Sequence, residues 1–300
     1  MLVARALLVV SFAVAFLASP AVAASAGRPY SVPNTQVFDL HSKQTGSDYQ
    51  IYVATPPGYP EPGKFYPVVY ALDADYSFAL TRNVIQHFVE RQDLPPMILV
   101  AIAYPGAATD RNLYKLTRTR DYTPIFVRTG GYGLEFQKVS GGAPKFKAFI
   151  ASELFPFIER KFAADPKDRT IVGHSYGGLF GTYLLLTEPS MFKRYVIVSP
   201  SLWYSERIAF QMEEAASQRG EPANANVFLS VGALENPAMS NDLTDFYNRL
   251  KSRNRPGLKL TLQIFEDERH DSVFPGAVTR GLRTVFDSLG PRADTPSPIP

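Results

Sequence analysis

The 300-residue chain contains no cysteine. That absence excludes a disulfide framework, a thiolate nucleophile, a cysteine metal site and a lipid-modified cysteine anchor. Histidine is scarce: there are four, at positions 41, 87, 174 and 270. No His-Glu-x-x-His and no tight group of histidines with carboxylates occurs, so no metal is expected. Neither G-x-G-x-x-G nor a P-loop is present, which argues against a nucleotide cofactor. An excess of one charge is also missing, since 31 Lys and Arg against 28 Asp and Glu leave +3. Residues 1–23 hold Arg5 and no acid, so their removal leaves +2. Such a small surplus does not point to nucleic acid. Long apolar runs are confined to the first residues, where a short basic start, the stretch Ala6 to Leu17 and Ala21-Val22-Ala23 have the form of a secretory signal peptide. The run is short for a transmembrane helix. The expectation is an exported protein, periplasmic or secreted, with no membrane segment after cleavage.

What the chain does have is alternation. Strand-like runs occur at residues 35–40, 49–54, 67–72, 97–103, 170–174, 195–199, 227–231 and 258–265. Helix-period segments lie at 76–91, 144–162, 176–187, 205–218, 240–253 and 276–289. The first two strands are joined by the short polar "HSKQTGSD", a hairpin signal. From the third onward strand and helix alternate. The pattern predicts an α/β fold: a mostly parallel sheet of about eight strands, an antiparallel N-terminal edge and helices on both faces. Two stretches fall outside it. Residues 104–143 show no clear periodicity, and a loop of that length is usually functional. Residues 290–300 are proline-rich and expected to be disordered. One domain over residues 31–289 is therefore expected.

The chemistry concentrates at "TIVGHSYGGLF". Here G-x-S-x-G joins a strand to a helix, the setting in which a serine is lifted above a sheet edge on a strained turn. Ser175 is the candidate nucleophile, and the free N–H of Tyr176 at the helix start is a candidate oxyanion donor. A serine hydroxyl needs a base, and in this architecture the chain order is serine, acid, histidine. His41 and His87 precede the serine, and His174 is expected to point to the other side of its strand. His270, directly after the last strand, remains. Two acids qualify to orient it: Glu235, after the preceding strand, is favoured, and Asp242 competes although it also suits a helix first turn. A second oxyanion N–H is expected from the loop after the third strand, at Asp75. Arg111, Lys115, Arg118 and Arg120, interleaved with Tyr114 and followed by Tyr122, form a candidate basic rim. The competing reading is a solvated face with Arg120-Asp121 as a local pair.

Five segments carry a family resemblance: "YPVVYALDADYSF", "GGAPKFKAFIASELFPFIERKF", "GHSYGGLF", "SPSLWY" and "RHDSVFP". From about residue 31 to 289 the chain resembles an esterase family of α/β hydrolases that includes the esterase D-like enzymes and exported siderophore esterases opening catecholate trilactones. The resemblance implies that Ser175 and His270 are the catalytic pair. It also implies that residues 199–204 line the cleft, with Trp203 as an apolar wall. The histidine-glycine pair of many relatives after the third strand is replaced here by Asp73-Ala74. The expected activity is serine carboxylic-ester hydrolysis through an acyl-enzyme, on a small-molecule ester and without a cofactor. A siderophore trilactone suits the basic, tyrosine-bearing rim by charge and cation–π contact. Short-acyl, feruloyl or thioester hydrolysis is the alternative, and a non-catalytic binding protein on the same fold is the rival from another class. A fluorophosphonate probe separates those last two, because it labels only an activated serine.

Overall fold

The computed structural model describes residues 27–220 and 222–286. The expected signal peptide and the proline-rich tail lie outside the described residues. Residues 27–32 carry no regular element, and among the described residues the strands and helices fall between residues 33 and 286.

Eight strands form one sheet in the order β1-β2-β4-β3-β5-β6-β7-β8. They are β1 (Thr35–Ser42), β2 (Ser47–Ala54), β3 (Tyr66–Ala71), β4 (Ile98–Ala103), β5 (Ala164–His174), β6 (Arg194–Val198), β7 (Ala225–Gly232) and β8 (Leu258–Phe265). β1 and β2, and β2 and β4, pair antiparallel; all the other pairs are parallel. This is the arrangement the alternation predicts. A strand covered on both faces has no polar side to show, and β4, "ILVAIA", is buried at every position.

Alternate side chains of one strand feed two cores. Ile98, Val100 and Ile102 join the larger cluster, while Leu99, Ala101 and Ala103 join the smaller. The smaller core is closed by α1 (Ala74–Glu90) and α9 (Val273–Val285), through Phe78, Ile85, Val278 and Leu282. The larger is closed by α4 (Ala143–Phe149), α5 (Phe155–Lys161), α6 (Tyr176–Thr187), α7 (Tyr204–Arg219) and α8 (Pro237–Ser252). Residues Ile150–Leu154 form a π-type turn between α4 and α5, and the backbone stays right-handed helical across both junctions, so the expected helix over 144–162 is one continuous run with a π turn inside it. The segment 104–143, which shows no period, contains α2 (Arg111–Tyr122) and the short α3 (Leu134–Gln137). Asp110 caps α2, its carboxylate accepting the N–H groups of Asn112 (2.8 Å) and Leu113 (3.1 Å).

The strand order reverses at β3. The chain leaves β3 through α1 to reach β4 on one side, and later returns to pair β5 on the other. In open sheets a crevice opens beyond the carboxyl ends at such a point. The turn from β5 into α6 lies there.

Candidate active site

Ser175 stands at that turn with φ 60° and ψ −118°, a conformation its neighbours impose. Its N–H donates to the Val198 carbonyl (3.0 Å), and its own carbonyl accepts from the N–H of Ser201 (3.1 Å). Glycine is required at 173: a Cβ there would lie 2.3 Å from the Gly177 carbonyl oxygen. The strand and helix can close this tightly only with hydrogen at that position. α6 starts at Tyr176, whose N–H, in the first turn, has no carbonyl of its own helix to meet.

Ser175 lines a cavity of about 760 Å³. The ends of three strands converge on it: His174 and Ser175 after β5, Glu235 after β7, and His270 after β8. His270 Nδ1 lies 2.7 Å from Glu235 Oε2. The other carboxylate oxygen, Oε1, accepts the Ser199 hydroxyl (2.5 Å) and the Gly232 N–H (2.8 Å). Burial alone would push the Glu235 carboxyl up. The hydrogen bonds from His270, Ser199 and Gly232 outweigh it and leave the group below its ordinary value, ionised and fixed. Asp242 plays no part in this pairing, since it forms an ion pair with Arg207 at 3.1 Å. Ser199, itself fully buried and in a left-handed conformation (φ 43°), is the acid's second anchor. Nothing in local sequence links it to Glu235, 36 residues on.

The other expected residues divide. Trp203 is on the cavity wall, with its ring 6.1 Å from that of Tyr176. Directly after it Ser205, Glu206 and Arg207 all have positive φ, so the right-handed part of α7 begins later than its periodicity suggests. Arg118 also lines the cavity but is spent internally: it grips both oxygens of Asp73 (2.7 and 3.1 Å), and donates to the His174 carbonyl (3.1 Å) and the Tyr132 hydroxyl. Asp73, in a left-handed turn at the head of α1, also meets the Tyr76 hydroxyl (3.3 Å), and its N–H donates to Tyr122 (3.3 Å). The Asp73-Ala74 replacement thus comes with a buried cation that ties the β3 loop to the serine turn.

Lys115, Arg120, Tyr122 and Asp75 are off the cavity wall. Arg120 is held by Asp121 (2.7 and 2.8 Å), the local pair considered as its alternative role. Tyr122 is fully buried, packed on Phe146 and Phe180. Asp75 sits in the first turn of α1, where burial and then the neighbouring Asp73 push its carboxyl up to about 6; α1 meets the cavity through Tyr76 and Leu80 instead. His174 departs from expectation in the opposite sense. It does not turn away from Ser175; it lines the same cavity, its ring centroid 4.6 Å from that of His270. Burial, then His270 and Arg118, pull its imidazole down to about 3, so it is neutral near neutral pH.

Arg111, at the start of α2, is the cation left available. It lines the cavity, is exposed, and stands 5.2 Å from the Tyr114 ring, with no carboxylate at ion-pair distance among the described residues. Among those residues no group of three or more His, Asp or Glu is arranged to hold a metal ion, and no helix is long and apolar enough to cross a membrane.

The family described as "Putative esterase" matches residues 42–277. The ferri-bacillibactin esterase BesA of Bacillus subtilis is 30% identical over 276 residues, covering 87% of this chain and 93% of the relative. A siderophore enterobactin esterase of Emericella nidulans is 29% identical over 291 residues, with 85% and 94% covered. Among solved structures, the BES protein from Bacillus cereus superposes with a TM-score of 0.77 at 31% identity, covering 87% of this chain and 98% of that one. With a parallel sheet, a serine turn at its switch point and a match over most of its length, the chain belongs to this esterase family of α/β hydrolases.

Proposed function

We propose that this chain is a serine esterase that hydrolyses the ester bonds of an aromatic, anionic siderophore lactone. The observation that carries the reading is the convergence of Ser175 with the His270–Glu235 pair on one cavity at the carboxyl edge of the sheet. In the first step Ser175 Oγ attacks the ester carbonyl and its proton passes to His270 Nε2. Glu235, on Nδ1, stabilises the imidazolium without taking the proton. The Tyr176 N–H donates to the developing oxyanion. Collapse breaks the bond to the alcohol, which leaves with the proton from His270. Water then repeats the sequence on the acyl-enzyme and frees Ser175.

The substrate class is supported by the names of the relatives and by the cavity's chemistry. Tyr114, Tyr132 and Trp203 offer aromatic faces, and Arg111 offers a cation not neutralised from within. A ferric catecholate lactone is flat-ringed and negatively charged, which suits both. The signal-like residues 1–23 support export, with processing after Ala23.

The decisive experiment compares kcat/KM for a ferric catecholate trilactone with that for a neutral short-chain aryl ester, alongside fluorophosphonate labelling mapped by peptide. The reading requires label on Ser175 and faster turnover of the trilactone. Labelling with no preference for the trilactone would leave a general esterase, and no labelling would leave a binding protein on a hydrolase fold.

A further inference from the structure

His174 holds a position that the acyl-transfer scheme above does not use. It ends β5, one residue before Ser175, and is almost fully buried. Its ring lies between three others. The face toward the cavity meets His270, with centroids 4.6 Å apart and planes 35° from parallel. Phe274, at the start of α9, is 5.7 Å away, and Tyr76, on α1, is 6.3 Å away edge-on. Tyr76 and Phe274 also contact each other at 5.3 Å, closing the slot. The Tyr76 hydroxyl is 3.3 Å from His174 Nδ1 and 3.3 Å from Asp73 Oδ2. The His174 carbonyl accepts from Arg118, which holds Asp73 as well. The ring is therefore held by Tyr76 on α1 and Phe274 on α9, and the backbone that carries it by Arg118 on α2.

His270 itself is anchored at one edge, by Glu235 on Nδ1. The covalent attachment at Cγ and one hydrogen bond at the adjacent Nδ1 hold one edge of the imidazole and leave the tilt of the ring about that edge. Something flat must set the ring's tilt if Nε2 is to face the serine in each cycle. The ring at 174 is a flat contact at van der Waals range, and it is attached to the same turn as the nucleophile.

We propose that His174 is a positioning residue of the esterase: its clamped ring sets the tilt of His270, so the nucleophile turn and the histidine loop move as one unit. The inference rests on the serine-esterase reading of Ser175 and His270. It assigns no proton transfer to His174. The role belongs to the ring, and the Tyr76 hydroxyl serves to orient it.

The test is steady-state kinetics on a neutral aryl ester with His174→Ala, His174→Asn and His174→Phe, each checked for an unchanged melting profile at neutral pH. Asparagine keeps a polar group near Tyr76 and approaches histidine in size, so it guards against misfolding of the alanine variant. Misplacing a catalytic group by about 1 Å costs on the order of 10²-fold. Alanine and asparagine are expected to lower kcat by about 10- to 100-fold with KM within about twofold, and phenylalanine to recover most of the loss. A kcat within about twofold of wild type in either ring-less variant, a loss confined to KM, or a phenylalanine variant no better than alanine would overturn the proposal. Wild-type protein is labelled in parallel with a fluorophosphonate. Label on Ser175 with unimpaired variants removes only the role of His174, whereas absence of label removes the esterase reading and this one with it.

Discussion

The two ends of α2 use the same residue type in opposite ways. In its C-terminal half Arg118 and Arg120 face carboxylates, Asp73 and Asp121, each gripped through two nitrogens. In its first turn Arg111 has a tyrosine ring beside it and no carboxylate in reach among the described residues. Buried bidentate pairs hold a fold together and have nothing left for a ligand, whereas an exposed cation on a cavity wall contributes little to stability and remains free to act on one. The same division separates the cavity floor from its rim. Glu235, on the floor, spends both carboxylate oxygens on groups of the protein itself, whereas Arg111, on the rim, keeps its charge unpaired among the described residues.

The contrast is tested most severely at the floor. Ser175→Ala should lower kcat by on the order of 10⁶, measured on protein free of contaminating esterase, because the acyl-enzyme forms on its hydroxyl. Glu235→Gln should cost less, about 10²–10⁴ in kcat, since the amide keeps the shape but not the charge opposite His270. Removing Arg118 attacks the fold more than the chemistry. Arg118→Met leaves Asp73 buried without its partner and should cost about 3–5 kcal/mol, read as a fall in the urea midpoint. A variant as stable as wild type would show that the inner arginine is not structural.

A pH experiment probes the floor more gently. His174 is held down to about 3 by burial, then by His270 and Arg118. Below about 6.5 the unfolded chain binds a proton that the folded chain refuses. Stability linked to this group is complete above that pH and is lost as pH falls, at about 1.4 kcal/mol per unit. Asp75, pushed up to about 6 by burial and then Asp73, acts with the opposite sign, since its contribution weakens as pH rises from its ordinary value toward 6. His174→Asn should therefore gain stability at pH 4.5, relative to pH 6.5, by about 2–3 kcal/mol over wild type in the same comparison. Parallel pH profiles for the two proteins would contradict a neutral His174.

The rim should respond least. Arg111→Gln is expected to raise KM for an anionic ester by about three- to tenfold, more at low salt, while leaving a neutral aryl ester unchanged. An equal effect on both esters would mean that Arg111 acts on the cavity's shape and not on charge.

The sheet was readable because its strands declare themselves by burial. Short β-branched runs such as "MILVAIA" read as buried strands, and their alternation with helices points to the parallel order. α2 was not readable, for a reason visible in its packing. Its buried face consists of Thr117, Arg118, Thr119, Asp121 and Tyr122, so a hydrophobic period does not exist to be found. Arg118 on that face is met by Asp73, and Asp121 by Tyr49 as well as by Arg120, so two of the partners are far away in sequence. Asp110, a capping residue before the helix, was the one local cue.

Chain order singled out Ser175 and His270 and favoured Glu235 over Asp242 as the acid, and the structure sets Ser175, His270 and Glu235 on one cavity. The side on which His174 lies was misjudged because strand alternation was carried one residue too far. Ser175 has left the extended conformation, with φ at 60°, so it does not oppose its neighbour as the next residue of a strand would. The Ser199 contact to Glu235 joins the ends of two adjacent strands, and no local pattern encodes it.

Trp203, the single tryptophan of the sequence, stands on the cavity wall and is about one-third exposed. The protein thus carries an optical reporter on the wall of the cavity, with no second indole to blur the signal. Iron-loaded catecholates absorb strongly in the visible and near ultraviolet. Their arrival can therefore be followed as quenched emission in a hydrolytically silent variant, and occupancy can be timed apart from turnover.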